Sequence, residues 1–253
     1  MRRTWLAAAA AGVAVMGSTG AAAADEPGLG NTVETPYVKK GITEVEVRAG
    51  RLTGGEDNGD SGAVVELEHG FSDRLSLALV GEFEDGVGER RKLDSVGLEA
   101  VTYLGQVPGL GVDVGGYLEY EQRIHNESGV LEGKLLLARQ FGPVQALLNI
   151  IANQPLTNRE GEGATELGYA AQATVAARPD LRLGVQAFGD LGTSRSFGGR
   201  RPHFVGPVAR WELRPVGRHG ELELEAAYLF PVGAARRDTD GQVRVGIEWE
   251  KRF

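Results

Sequence analysis

From Gly41 onward the chain is a series of short runs in which apolar and polar residues alternate, broken by turns rich in Gly, Asp and Pro. The last run shows the pattern most clearly. Val243, Val245, Ile247, Trp249 and the final Phe253 share one parity, and Arg244, Glu248, Glu250 and Arg252 share the other. Successive side chains of a strand point to opposite faces, so this run makes one apolar face and one charged face. The alternation predicts strands over 41–51, 62–70, 74–84, 93–104, 110–121, 130–141, 143–153, 165–176, 181–191, 203–213, 221–230 and 241–253. Each is close to the ~9–11 residues that a tilted membrane-crossing strand needs. The count is even, and both ends of the series fall on one side.

The connections alternate in length, which is a second and separate regularity. Tight ones lie around 71–73, 105–109, 142, 177–180 and 216–220. Longer, more polar ones span 52–61, 85–92, 122–129, 154–164, 192–202 and 231–240. Short periplasmic turns and long external loops belong to outer-membrane barrels, and a soluble meander gives no reason for them. The pattern predicts an all-β fold, a single antiparallel up-and-down transmembrane β-barrel of about twelve strands.

Alternation alone does not say whether lipid or a protein core meets the apolar face, and a soluble sandwich or lipocalin-like barrel is the alternative. The aromatic residues separate the two. Phe83, Tyr120, Tyr169, Tyr228 and Phe230 fall near the long-loop ends of their strands, and Phe71, Phe141, Trp211, Trp249 and Phe253 near the other ends. Aliphatic residues such as Leu77, Leu79, Val114, Leu135, Leu148 and Leu224 occupy the middles. Two aromatic belts flanking an aliphatic band match a bilayer. A soluble core would place its large rings centrally, where they bury most area.

The opposite parity then faces the lumen. It carries Glu66, Glu68, Glu82, Glu99, Asp113, Glu119, Glu132, Glu223 and Glu248, with fewer cations, among them Lys134, Arg182, Arg210 and Arg244. Such charges are too costly for lipid or a dry core and need water or one another. Acids in excess of bases imply a solvated passage that prefers cations. The competing reading is a narrow barrel filled by paired Arg and Glu, since a twelve-strand barrel lies between the filled and the open sizes. Tyr103, Tyr117, Phe188 and Phe204 share the inward parity, either lining a site for an aromatic solute or filling space. Three arginine pairs, Arg90–Arg91, Arg200–Arg201 and Arg236–Arg237, fall in long loops at one end. Their bidentate geometry suits lipopolysaccharide phosphates.

The N-terminus begins with Arg2 and Arg3, an apolar run to about Met16, and a small-residue stretch Ala21–Ala24. That order predicts a signal peptide over 1–24 and export. Residues 25–40 hold two prolines and lack periodicity, which predicts an irregular periplasmic lead-in before the barrel at 41–253. Cys is absent, so disulfides and thiolate chemistry are excluded, and the net charge of −8 argues against nucleic acid as a partner. No metal site or cofactor is expected. The acidic run Glu56–Asp60 lacks the spacing of a calcium loop and reads as a polar turn.

Across 41–253 the chain resembles Gram-negative outer-membrane β-barrels. Its strand ending in Phe253 resembles the terminal strand that barrel-assembly machinery reads. Residues 63–79, with the turn Gly70-Phe-Ser-Asp-Arg-Leu-Ser-Leu77, look like the transporter-like barrels of the meta-pathway phenol-degradation family. The resemblance implies an outer-membrane channel or passive transporter, with small solutes, outer-membrane lipids and lipopolysaccharide as partners. A structural or surface-interaction barrel with a plugged lumen is the alternative. No enzyme is expected, because His69, Ser72, His125, Ser128, His203 and His219 form no Ser–His pattern of the outer-membrane phospholipase kind.

Overall fold

The computed structural model describes residues 29–85, 91–124, 129–156, 163–216 and 220–252. The predicted signal peptide, Arg90, His125, Ser128, His219 and Phe253 lie outside them. Twelve antiparallel strands form one closed barrel, with a short extra strand. In chain order they are β1 (Ile42–Thr53), β2 (Ser61–Gly70), β3 (Leu75–Asp85), β4 (Lys92–Val107), β5 (Val112–Arg123), β6 (Gly129–Phe141), β7 (Val144–Leu156), β8 (Glu166–Arg178), β9 (Leu181–Thr193), β10 (Ser196–Phe197), β11 (Pro202–Val216), β12 (Gly220–Gly233) and β13 (Gly241–Arg252). Each barrel strand pairs with its sequence neighbours, β9 with β11 past the small β10 hairpin, and β1 with β13 closes the ring.

The predicted strands and the observed ones share their centres. Several run longer than expected, β4 to Val107 and β11 to Val216, and bulges near Tyr103/Gly105 and Leu213/Val216 absorb the extra residues. The long connection after β9 holds the β10 hairpin, and the one before β13 holds a short 3-10 turn, Ala235–Arg237.

The solvent assignment is apolar-out. Val45, Val47, Leu67, Leu77, Leu79, Leu98, Leu118, Leu135, Ile150, Val185 and Ile247 are exposed, while alternating Glu44, Glu46, Glu68, Ala78, Glu99, Tyr117, Glu119, Asn149, Gln186 and Glu248 are buried. An aliphatic surface that wraps a closed barrel is far larger than a soluble monomer tolerates, and closing the sheet leaves no unpaired edge inside lipid. Rings bound the band as expected: Phe71, Phe141 and Trp211 are exposed at the short-turn end, Tyr120 and Phe230 at the long-loop end. Trp211 donates its indole N–H to Asp180 in the adjacent short turn at 2.9 Å, and Tyr120 donates to Gln122 at 2.7 Å. Each ring thus keeps its apolar body on the band and its polar atom at the water side.

Candidate functional site

The interior is built by register. Along the hydrogen-bonding direction the inward residues read Glu250 on β13, Glu44 on β1, Glu68 on β2, Ala78 on β3, Glu99 on β4, Glu119 on β5, Glu132 on β6 and Asn153 on β7. One dyad further the row reads Glu223, Glu248, Glu46, Glu66, Val80, Gly97 and Glu121. Like charges directly opposite across strands repel, and here they do so while buried. The acidic wall covers β12, β13 and β1 to β6. The facing wall is amide, hydroxyl and apolar: Leu147, Asn149 and Ile151 on β7, Ala170, Gln172 and Thr174 on β8, Gln186 and Phe188 on β9, Phe204 and Val208 on β11.

The segment 29–40 has no regular secondary structure and threads this interior from the long-loop end to the short-turn end. Leu29 lies against Gly50 and Gly62, where a Cβ at Gly50 would overlap the Leu29 carbonyl oxygen. Midway, Asn149 clasps the backbone of Glu34, its Oδ1 accepting the N–H at 2.7 Å and its Nδ2 donating to the carbonyl at 3.0 Å. Pro36 sits on Gly115, whose missing side chain makes the room. Tyr37 donates to Asp113 at 2.8 Å, and Lys39 pairs with Glu250 at 2.6 Å near the start of β1. Residues Asn31 to Thr35 are buried, and Val33 joins an interior apolar cluster with Tyr117, Leu136, Leu147, Phe188 and Phe204. Clefts remain beside the segment, one lined by Thr32, Glu46, Arg210, Glu223 and Glu248, another by Asn31, Glu46, Arg48 and Arg244.

The residues singled out from sequence fall as follows. Glu66, Glu68, Glu82, Glu99, Glu119, Glu132, Lys134, Arg210, Glu223, Arg244 and Glu248 are all buried within the barrel. Asp113 lies towards the short-turn end, where Tyr103, Tyr37 and Gln106 donate to it. Arg182 donates to Thr174 at 3.0 Å. The basic residues each lock onto carboxylates or rings. Arg48 approaches Glu46 and Glu66, Lys134 pairs with Glu132 at 2.6 Å over the Tyr117 ring, Arg210 joins Glu223 and Glu225, and Arg244 stacks on Phe188. Of the four inward aromatics, Tyr117, Phe188 and Phe204 are fully packed, and Tyr103 bonds Asp113 at the mouth.

Asn149, Gln172, Gln186 and Glu34 escaped the sequence reading although they shape the interior. Gln186 donates to both Gln172 and Glu225 at 2.9 Å and so joins the two walls. The loop arginines hold their own loops: Arg91 bonds Ser61 and Asp85, Arg200 the Gly233 carbonyl, Arg201 the Ser196 and Gly198 carbonyls, and Arg236 the Pro231 carbonyl, while Arg237 is exposed. The Glu56–Asp60 run is a turn docked on the loop before β13, with Asp57 N–H donating to the Asp238 carbonyl at 3.0 Å. Partial burial and the nearby Asp60, Asp238 and Glu56 push the Asp57 carboxyl above its ordinary pKa. His69 lies 2.8 Å from Thr43, and Ser72 caps its turn by accepting the N–H groups of Arg74 and Leu75.

A closed barrel with aliphatic residues outside and ionisable residues inside is a transmembrane β-barrel of the porin and channel architecture. Solved structures share it. An outer membrane channel from Pseudomonas putida F1 superimposes with a TM-score of 0.57 at 12% identity, over 85% of this chain and 97% of that one. The NanC porin gives 0.56 at 8% identity, over 83% and 100%. The KdgM porin gives 0.52 at 10%, over 83% and 99%. At these identities the likeness is one of fold. No protein-family model and no curated protein matches the chain, and the phenol-degradation resemblance of residues 63–79 gains no support from the comparisons.

Proposed function

We propose that the chain is an outer-membrane channel of a Gram-negative bacterium that passes small solutes, cations or neutral molecules above all, along the acidic wall once residues 29–40 shift. One observation carries the reading. The interior is occupied by a segment that belongs to no strand, and it lies beside a wall whose glutamates outnumber its cations. A filled barrel would close its interior with side chains of its own strands. Here a removable piece of chain does the closing, and buried carboxylates would favour cations and repel anions in the space it leaves. The shared fold of the solved porins and channels is consistent with this. Export through a signal peptide over 1–24, recognition of the β13 end by assembly machinery, and lipopolysaccharide contact by the loop arginines belong to the same proposal. For the last, Arg237 is the best placed of the described arginines.

A second reading, a structural barrel with a permanent plug, draws on the apolar packing of Val33. The reversal potential across a planar bilayer under a salt gradient separates the two. The channel reading expects cation-selective steps, and weaker selectivity in a Glu66→Gln, Glu68→Gln, Glu82→Gln variant. Silence of the wild type and of a chain lacking the segment would leave only the structural barrel. Steps whose selectivity ignores the three substitutions would remove the acidic wall from the permeation path.

A further inference from the structure

We propose that Glu66, Glu68 and Glu99 bind a divalent cation, calcium by the type and spread of the ligands, between the wall and the threaded segment. The site lies within the lumen but stands apart from the permeation reading, since an ion could sit there in an open or a closed barrel. One carboxylate oxygen from each of the three residues lies within 4.8 Å of the others. A calcium ion holds oxygens at about 2.3–2.6 Å and therefore bridges oxygens about 4.6–5.2 Å apart, whereas magnesium at about 2.0–2.1 Å does not reach that far. Carboxylates as the donors select a hard cation over a thiophilic metal.

Register explains how the three meet. Glu68 and Glu99 stand on either side of Ala78 in one row, and Glu66 is the next inward residue on β2. The single methyl of Ala78 leaves the space above β3 to the carboxylates that flank it.

The second observation is the state of Glu99. Its residue is 1% exposed, and neither carboxylate oxygen accepts a hydrogen bond from the protein. Its cross-strand neighbours are Ala78, which has no donor, and Glu119, which already accepts from Tyr117 at 2.6 Å. A buried carboxylate with no donor is costly, and a directly bound cation removes that cost. The cations nearby are committed on the flanks. Arg48 approaches Glu66 at 3.6 Å and Glu46 at 3.7 Å, and Lys134 holds Glu132. Glu34 of the threaded segment is within Coulombic reach of both Glu99 and Glu66 and brings a further carboxylate from the lumen side. An ion here would draw the segment onto the wall.

The test uses the full-length barrel folded in detergent, stripped with a calcium chelator and equilibrated with radioactive calcium at neutral pH. Folding of each variant is checked by heat-modifiable gel mobility. The wild type should bind one calcium ion, and its thermal midpoint should rise with calcium more than with magnesium. Glu99→Gln and Glu68→Gln should each weaken binding by about 100-fold or more, since even outer-shell losses cost 10–100-fold. Glu248→Gln, in a separate carboxylate group with Glu44 and Glu250, should keep it. Two variants guard against failure of one to fold. A wild type that binds no calcium would overturn the proposal, as would binding that survives both Glu99→Gln and Glu68→Gln, or that only Glu248→Gln abolishes.

Discussion

Deleting residues 29–36 should raise single-channel conductance several-fold while leaving the barrel folded. These residues contribute no strand, so every backbone pairing that closes β1 on β13 survives the deletion. What is lost is a small set of contacts: the clasp of Asn149 on Glu34, the packing of Val33 among Leu136, Leu147 and Phe188, and Pro36 on Gly115. Lys39 and its pairing with Glu250 stay in place. The vacated space would join the clefts beside Glu46, Arg48 and Glu223 into one path. Burial of Val33 and the two hydrogen bonds stabilise the closed state by only a few kcal/mol, an amount that a transported solute or a membrane potential can offset. Conductance unchanged by the deletion would mean that the strands' own side chains seal the barrel.

Leu79→Arg is the second large effect. Leu79 is 61% exposed in the middle of β3, and its neighbour Ala78 is buried on the other face. If hydrocarbon bathes Leu79, arginine there should cost about 2–4 kcal/mol. If water bathed it, a surface substitution of this kind would stay within about 0.5 kcal/mol. Reversible unfolding by guanidinium in lipid vesicles reads the difference, with Val47→Arg on β1 as a second band position that should respond alike. A near-zero effect at both would refute the lipid-facing assignment.

Period-two alternation made the barrel legible in the sequence because lipid and lumen impose opposite chemistries on consecutive residues. The strand predicted over 181–191 is β9, and that over 203–213 lies within β11. The signal failed where both faces are apolar. Asn149 stands in the run Leu147-Leu-Asn-Ile-Ile151, whose inward members join the interior apolar cluster, so nothing marked its parity as functional. It failed again where contacts use backbone. The clasp on Glu34 engages a peptide N–H and carbonyl, which leave no trace in residue type. Residues 29–40 lack periodicity because they belong to no sheet, and their path is set by Gly50, Gly62 and Gly115 in distant strands. The loop arginines read as a lipid-binding feature, but carbonyl groups of the loops claim most of the described ones.

Paired cysteines report most directly on whether the segment runs through the barrel. The chain has no native Cys, so any disulfide is the introduced one. A Cβ built on Gly62 lies 3.1 Å from the Leu29 Cβ, and one on Gly115 lies 2.7 Å from the Pro36 Cβ. Disulfides need about 3.5–4.5 Å between these atoms, a spacing that small adjustments of a segment outside the sheet supply. Leu29→Cys with Gly62→Cys, and Pro36→Cys with Gly115→Cys, should each cross-link on mild oxidation of the folded protein in membranes, one at either end of the lumen. Folded barrels in which neither pair oxidises to an intrachain disulfide would place residues 29–40 elsewhere and contradict a threaded interior.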